Sequence, residues 1–140
     1  MKSIEVPNVM KEAYNYGSNP ATFCRGVVIS CPKEFCFVSG TASVGPNGET
    51  LHKGDFVAQV NRMFDNVTVV LKGANKTWGD VIRTTIYLRD IDRDYEEFNK
   101  ARKIFYDKQG LNAYPASTCI EAKICRSDLL CEMEVIAVGY

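Results

Sequence analysis

Histidine is nearly absent from this chain of 140 residues: His52 is the only one, and Trp78 is likewise the only tryptophan. A Ser-His-Asp or Cys-His arrangement therefore has a single loop histidine to draw on, and neither Ser117 nor Cys119 can be given a base from the sequence. No charge of either sign dominates. Lys and Arg number 17 and so do Asp and Glu, with a sequence pI near 6.6, so the basic footprint of a nucleic-acid binder is missing and nucleic acid is not an expected partner. No stretch of about 18 apolar residues could span a bilayer. The opening "MKSIEVPNVMKEAYNYG" lacks the apolar core and small-residue cleavage site of a signal peptide. The expectation is a cytoplasmic protein with no membrane partner.

The six cysteines, Cys24, Cys31, Cys36, Cys119, Cys125 and Cys131, contain no CxxC pair. With one histidine beside them they predict no metal site, and in a reducing compartment most should serve as small buried apolar residues. No cofactor motif occurs either.

What the sequence does hold is 46% hydrophobic and 24% charged residues, enough for one domain over residues 1–140. "GVVISC" and "FCFVSGTAS", separated by "PKE", predict an antiparallel hairpin, and Asn47-Gly48 a turn. From Asp55 the apolar period changes: Phe56, Val60, Met63, Phe64, Val67, Val70 and Leu71 form one helical stripe that stops at Gly73. "DVIRTTIYLRD" predicts a strand. A second helix follows, with Tyr95, Phe98, Ala101, Ile104 and Phe105 as its buried stripe and Gly110 as its end. Pro115 starts a last hairpin in extended conformation. Trp78 reads as a packing residue between helix and strand, and Arg83 and Arg89 as surface or interface charge.

The predicted order is β-β-α-β-α-β-β, an α+β domain with two helices covering one face of a mixed sheet. The other face would be bare in a monomer and is where protomers would meet. Alternation in the last strand puts Cys131, Met133, Val135 and Ala137 toward the helices, and Leu130, Glu132, Glu134, Ile136 and Val138 on the bare side. Two carboxylates in an apolar frame fit an interface that contains a working or paired acid.

Six segments in order, "FVSGTASV", "VNRMFDNVTVVLKGAN", "GDVIRTTIYLRDI", "FNKARKIFY", "PASTCIEA" and "EMEVIAVGY", resemble the YjgF family, also called Rid (reactive intermediate deaminase) and endoribonuclease L-PSP. The resemblance runs from about Phe23 to Tyr140. It implies a chorismate-mutase-like fold and a homotrimer whose sheets form a central barrel. It also implies small-molecule ligands in three clefts between subunits, where the best-known branch hydrolyses imines and enamines such as 2-aminoacrylate to 2-keto acids and ammonia. Carried over position by position, it makes Phe23 an aromatic wall, where that branch has tyrosine, and places Ser39, Gly40 and Asn99 in the cleft. Cys119 would meet substrate or water through its backbone, and the Glu132 carboxylate would hold the attacking water.

The match breaks at Ser117. The hydrolytic branch reads Pro-Ala-Arg and clamps the substrate carboxylate with that arginine, whereas this chain reads Pro115-Ala116-Ser117. A serine offers one neutral donor in place of a charged fork, so the usual imino acid loses its anchor unless another cation enters the cleft. Arg25 is the first candidate and Arg126 the second. Glu121 and Glu134 read as structural acids. Two further functions stay open: a binding or regulatory trimer without catalysis, and an enzyme that handles chorismate.

Overall fold

The computed structural model describes residues 1–6, 15–16 and 19–140. Its elements are β1 (Lys2–Ile4), β2 (Asn15–Tyr16), β3 (Asn19–Pro20), β4 (Gly26–Val28), β5 (Glu34–Ala42), α1 (Phe56–Gly73), β6 (Val81–Leu88), α2 (Ile91–Lys108), β7 (Ala116–Glu121) and β8 (Cys131–Gly139), with one turn of 3₁₀ helix at Trp78–Asp80.

Both helices start where a carboxylate can cap them. Asp55 accepts from the Ala58 amide and Asp90 from the Arg93 amide, each at 3.0 Å, satisfying donors that the first turn leaves open. Lys72 and Lys108 occupy the last turns, where a cation meets the negative end of the helix dipole. Gly110 follows α2 at φ +64°, a conformation that glycine adopts without strain.

The main sheet has the order β5-β8-β6-β7, with β6 and β7 parallel and the other pairs antiparallel. A parallel pair needs a crossover, and α2 supplies it between β6 and β7. Helices α1 and α2 lie against one face, so the architecture is α+β with a mixed sheet, as expected. Aromatic rings fill the layer between helices and sheet. Phe64 stacks on Phe105 at 4.4 Å and meets Trp78 edge-on at 5.8 Å, while the indole nitrogen of Trp78 donates to Thr68 Oγ1 at 2.8 Å.

Several expectations need correction. β4 does not form a hairpin with β5; it pairs with β1, so the first strands make a separate ribbon. β7 and β8 are not a hairpin either, because β6 lies between them. The loop joining them is clasped by Arg89, whose guanidinium donates to the carbonyls of Ile124, Arg126 and Leu129, so this arginine anchors a loop. The helical stripes are narrower than read: Val70 and Ile104 are exposed. Of the cysteines only Cys131 is fully buried; Cys31 and Cys125 are exposed.

The sheet face away from the helices carries exposed apolar side chains. Phe37 is 72% exposed, Phe35 53% and Ile120 44%, and the two phenylalanine rings stack at 6.2 Å. Among the described residues, no helix is long and apolar enough to cross a membrane.

Candidate functional site

Glu132 owes its position to a bulge in the neighbouring strand. β5 pairs with β8 in register from Glu34 to Val38, then shifts: Val38 faces Val135 and Thr41 faces Met133, so Ser39 and Gly40 together oppose Glu134 alone. A Cβ on Gly40 would collide with Glu132 Oε1, so the space a side chain would fill is taken by the carboxylate. Gly40 is thus required for close approach rather than for an unusual φ. The Glu132 side chain is half-buried, and among the described residues no hydrogen bond or ion pair engages its carboxylate. Its neighbour Glu134 is committed, because Tyr87 donates to it at 2.7 Å, an interaction that raises the tyrosine pKa. Tyr87, Lys123, Cys125, Glu132 and Glu134 surround a hollow of about 300 Å³ on this open face.

Ser117 belongs to the other face. In the ladder Ser117 stands opposite Thr84, which stands opposite Val135, and both of those are buried under the helices. Glu132 stands opposite Tyr87, which stands opposite Ile120, and that row faces away. Successive residues of a strand point to opposite faces, so the Ser117 and Cys119 side chains lie beneath α2 and the Glu132 side chain lies beyond the sheet. The burial of Cys119 pushes its thiol up to about 11, while the charge of Arg102 pulls it back only in part. At neutral pH the sulfur is a protonated thiol, a poor nucleophile.

Around Ser117 the structure assembles a group that includes one residue the sequence reading passed over. Arg102, on the buried side of α2, donates from Nη1 to Ser117 Oγ at 3.1 Å and from Nη2 to Asn99 Oδ1 at 2.7 Å. Thr84 Oγ1 approaches the same serine oxygen at 3.0 Å. The Arg102 guanidinium carbon sits 5.0 Å from the Phe98 ring centroid and 5.9 Å from that of Phe23. Phe23 is brought there by a short parallel bridge of Cys24 with Ala116, in which the Cys24 amide donates to the Pro115 carbonyl at 3.1 Å.

The expected site residues therefore fall into two groups. Phe23, Asn99, Ser117 and Cys119 gather at the β7 edge and the α2 face, whereas Ser39, Gly40 and Glu132 gather on the open face. Arg25 is exposed, 6.0 Å from the Phe23 centroid, on the wall of a cleft of about 310 Å³ that Phe23 and Tyr114 also line. Arg126 is elsewhere: its Nη1 donates to the Gly48 carbonyl at 2.6 Å and anchors the Asn47-Gly48 turn. Glu121 accepts from the Ile91 amide at 3.1 Å at the start of α2. Among the described residues no three His, Cys, Asp or Glu side chains come together to hold a metal.

Known proteins are similar to this chain in sequence and in fold. The family profile described as endoribonuclease L-PSP matches residues 21–139. A protein of Escherichia coli K12 named 2-iminobutanoate/2-iminopropanoate deaminase is 31% identical over 101 residues, which cover 71% of this chain and 76% of the relative. Among solved structures, the Rid family protein YyfB of Yersinia pestis superposes with a TM-score of 0.80 over 98% of this chain and 97% of its own, at 23% identity. Escherichia coli TdcF, solved with bound serine, gives 0.69 at 26% identity with both chains fully covered. By sequence and by fold, the chain belongs to the endoribonuclease L-PSP family, the family of the YjgF and Rid proteins.

Proposed function

We propose that this protein binds a small imine or enamine and hydrolyses it in a cleft between two protomers of a trimer, with Glu132 holding the water. The observation that carries this reading is the Glu132 carboxylate, set against Gly40 by a bulge and without a partner among the described residues. In the reaction, Glu132 takes a proton from water as the oxygen attacks the imine carbon. The nitrogen, protonated in turn, leaves as ammonia when the C–N bond breaks, and a carbonyl compound remains. An enamine such as 2-aminoacrylate first becomes the imine by protonation at carbon.

Two further observations support the reading. The exposed Phe35, Phe37 and Ile120 give the open face an apolar surface suited to self-association. Structural relatives include a protein solved with serine, which fits a ligand of amino-acid size. Because the two groups of site residues lie on opposite faces of one sheet, a single pocket containing both requires a second chain.

The direct test is ammonia and 2-keto acid release from freshly generated 2-aminoacrylate, with the mass in solution measured alongside. The expected result is a rate above the uncatalysed one and a mass three times 15.7 kDa. A monomer with no added rate would rule the proposal out. Gly40→Ala should move Glu132 out of place and cost about tenfold in kcat, since small misplacements of a reacting group are expensive. Its melting temperature should change by only a few degrees, about what a 1 kcal/mol loss produces. Unchanged kcat would show that Glu132 does not need the glycine.

A further inference from the structure

Arg102 is 2% exposed, yet among the described residues its charge has no opposite. Among the described residues no carboxylate lies within 4 Å of it, and its two hydrogen-bond acceptors, Ser117 Oγ and Asn99 Oδ1, are neutral. Its Nε is buried with no hydrogen-bond partner among the described residues. A guanidinium has five N–H donors in a planar fork, so this one keeps unused protons on the edge that includes Nε. Buried ions are normally paired, because removing an unpaired charge from water is costly. Here burial pulls the arginine pKa down, and the groups that partly offset it are Tyr106, Cys119 and Tyr95 rather than a carboxylate.

We propose that Arg102 is the ligand-anchoring residue of this site, and that its missing counter-charge is the carboxylate of a small planar substrate. This deepens the function proposed above and rests on it for the location of the cleft. The Ser117 hydroxyl accepts from Arg102 and can offer its own proton to the same carboxylate. Phe23 is the entry point. Its ring lies over the guanidinium and also lines the cleft of about 310 Å³, so displacement of one half-buried side chain joins the cleft to the cation. A flat ligand then takes the ring's place between the guanidinium and the cleft wall, with its carboxylate gripped by two parallel N–H donors. The anchoring cation thus comes from the helix, and the strand position beneath it needs only a small residue that leaves room for it.

The test compares pyruvate with pyruvamide, which has the same size and planarity and no charge, by calorimetric titration of the whole protein. Wild type should prefer pyruvate, and Arg102→Met should weaken pyruvate binding by a factor of about 30 to several thousand. Pyruvamide binding should be the same in both proteins. Arg102→Lys should recover part of the loss, since it restores charge without the fork. Equal wild-type affinity for the two compounds, no pyruvate binding at millimolar concentration, or full pyruvate binding by Arg102→Met would each overturn the assignment. If Arg102→Met does not fold, as judged by its thermal transition, the wild-type preference and Arg102→Lys decide the matter. Pyruvate binding without imine hydrolysis would sink the deaminase and leave the anchor. Hydrolysis undiminished in Arg102→Met would do the reverse.

Discussion

Glu132→Gln should reduce imine hydrolysis by about 10² to 10⁴, the usual contribution of a positioned acid or base. Glutamine keeps the length and shape that fit against Gly40, and it can still hydrogen-bond a water. What it cannot do is accept the proton that water loses as its oxygen attacks. The effect should therefore appear in kcat, with little change in melting temperature and none in pyruvate affinity. Glu134→Gln is the internal control. Its carboxylate is exposed and already accepts the Tyr87 hydroxyl, so its removal should leave most of the activity in place. A larger loss at Glu134 than at Glu132 would mean that the wrong carboxylate has been given the water.

Much of the fold can be read from period alone, and the parts that cannot share a physical cause. The last strand alternates between buried Cys131, Met133, Val135 and Ala137 and residues facing away, because the sheet has one covered face. Strand partners are another matter. Which strand lies beside which is decided by long-range packing, so a proline, a glycine or a short loop suggests a hairpin whether or not one forms. β7 enters parallel to β6 across the helix, and β8 fills the space on the other side of β6. No local feature of "PASTCIEA" records that.

The site was partly legible, and its missing cation was the illegible part. A stripe counted from apolar residues alone turns α2 toward Ile104, which is 49% exposed. The arc that is buried runs through Asp94, Phe98, Asn99, Ala101, Arg102 and Tyr106. Arg102 follows Phe98 by four residues and Asn99 by three, so both are its neighbours on the helix surface. An arginine at a position where the helical period demands an apolar side chain was the available signal. Tyr106 belongs to the same arc, and burial pushes its hydroxyl up to about 12, so the pocket floor around the cation stays uncharged at neutral pH.

Two inactive variants mixed together should regain activity. Glu132→Gln removes the water-holding acid from the open face, and Arg102→Met removes the anchor from the α2 side. If each cleft takes Glu132 from one protomer and Arg102 from the next, subunits exchanged between the two variants will create some clefts with both residues intact. With equal amounts and random assembly, a cleft draws its Glu132 from the Arg102→Met chain half the time. Its Arg102 comes from the Glu132→Gln chain half the time as well. About one cleft in four is then complete, and activity should rise from a small fraction of wild type to about a quarter of it. A cleft built within one chain would give no such recovery, because every chain in the mixture is defective. The separation of Ser117 and Glu132 onto opposite faces of the same sheet makes the first outcome the expected one. It also sets a condition for the test: the variants must be unfolded and refolded together, because a stable trimer exchanges subunits slowly.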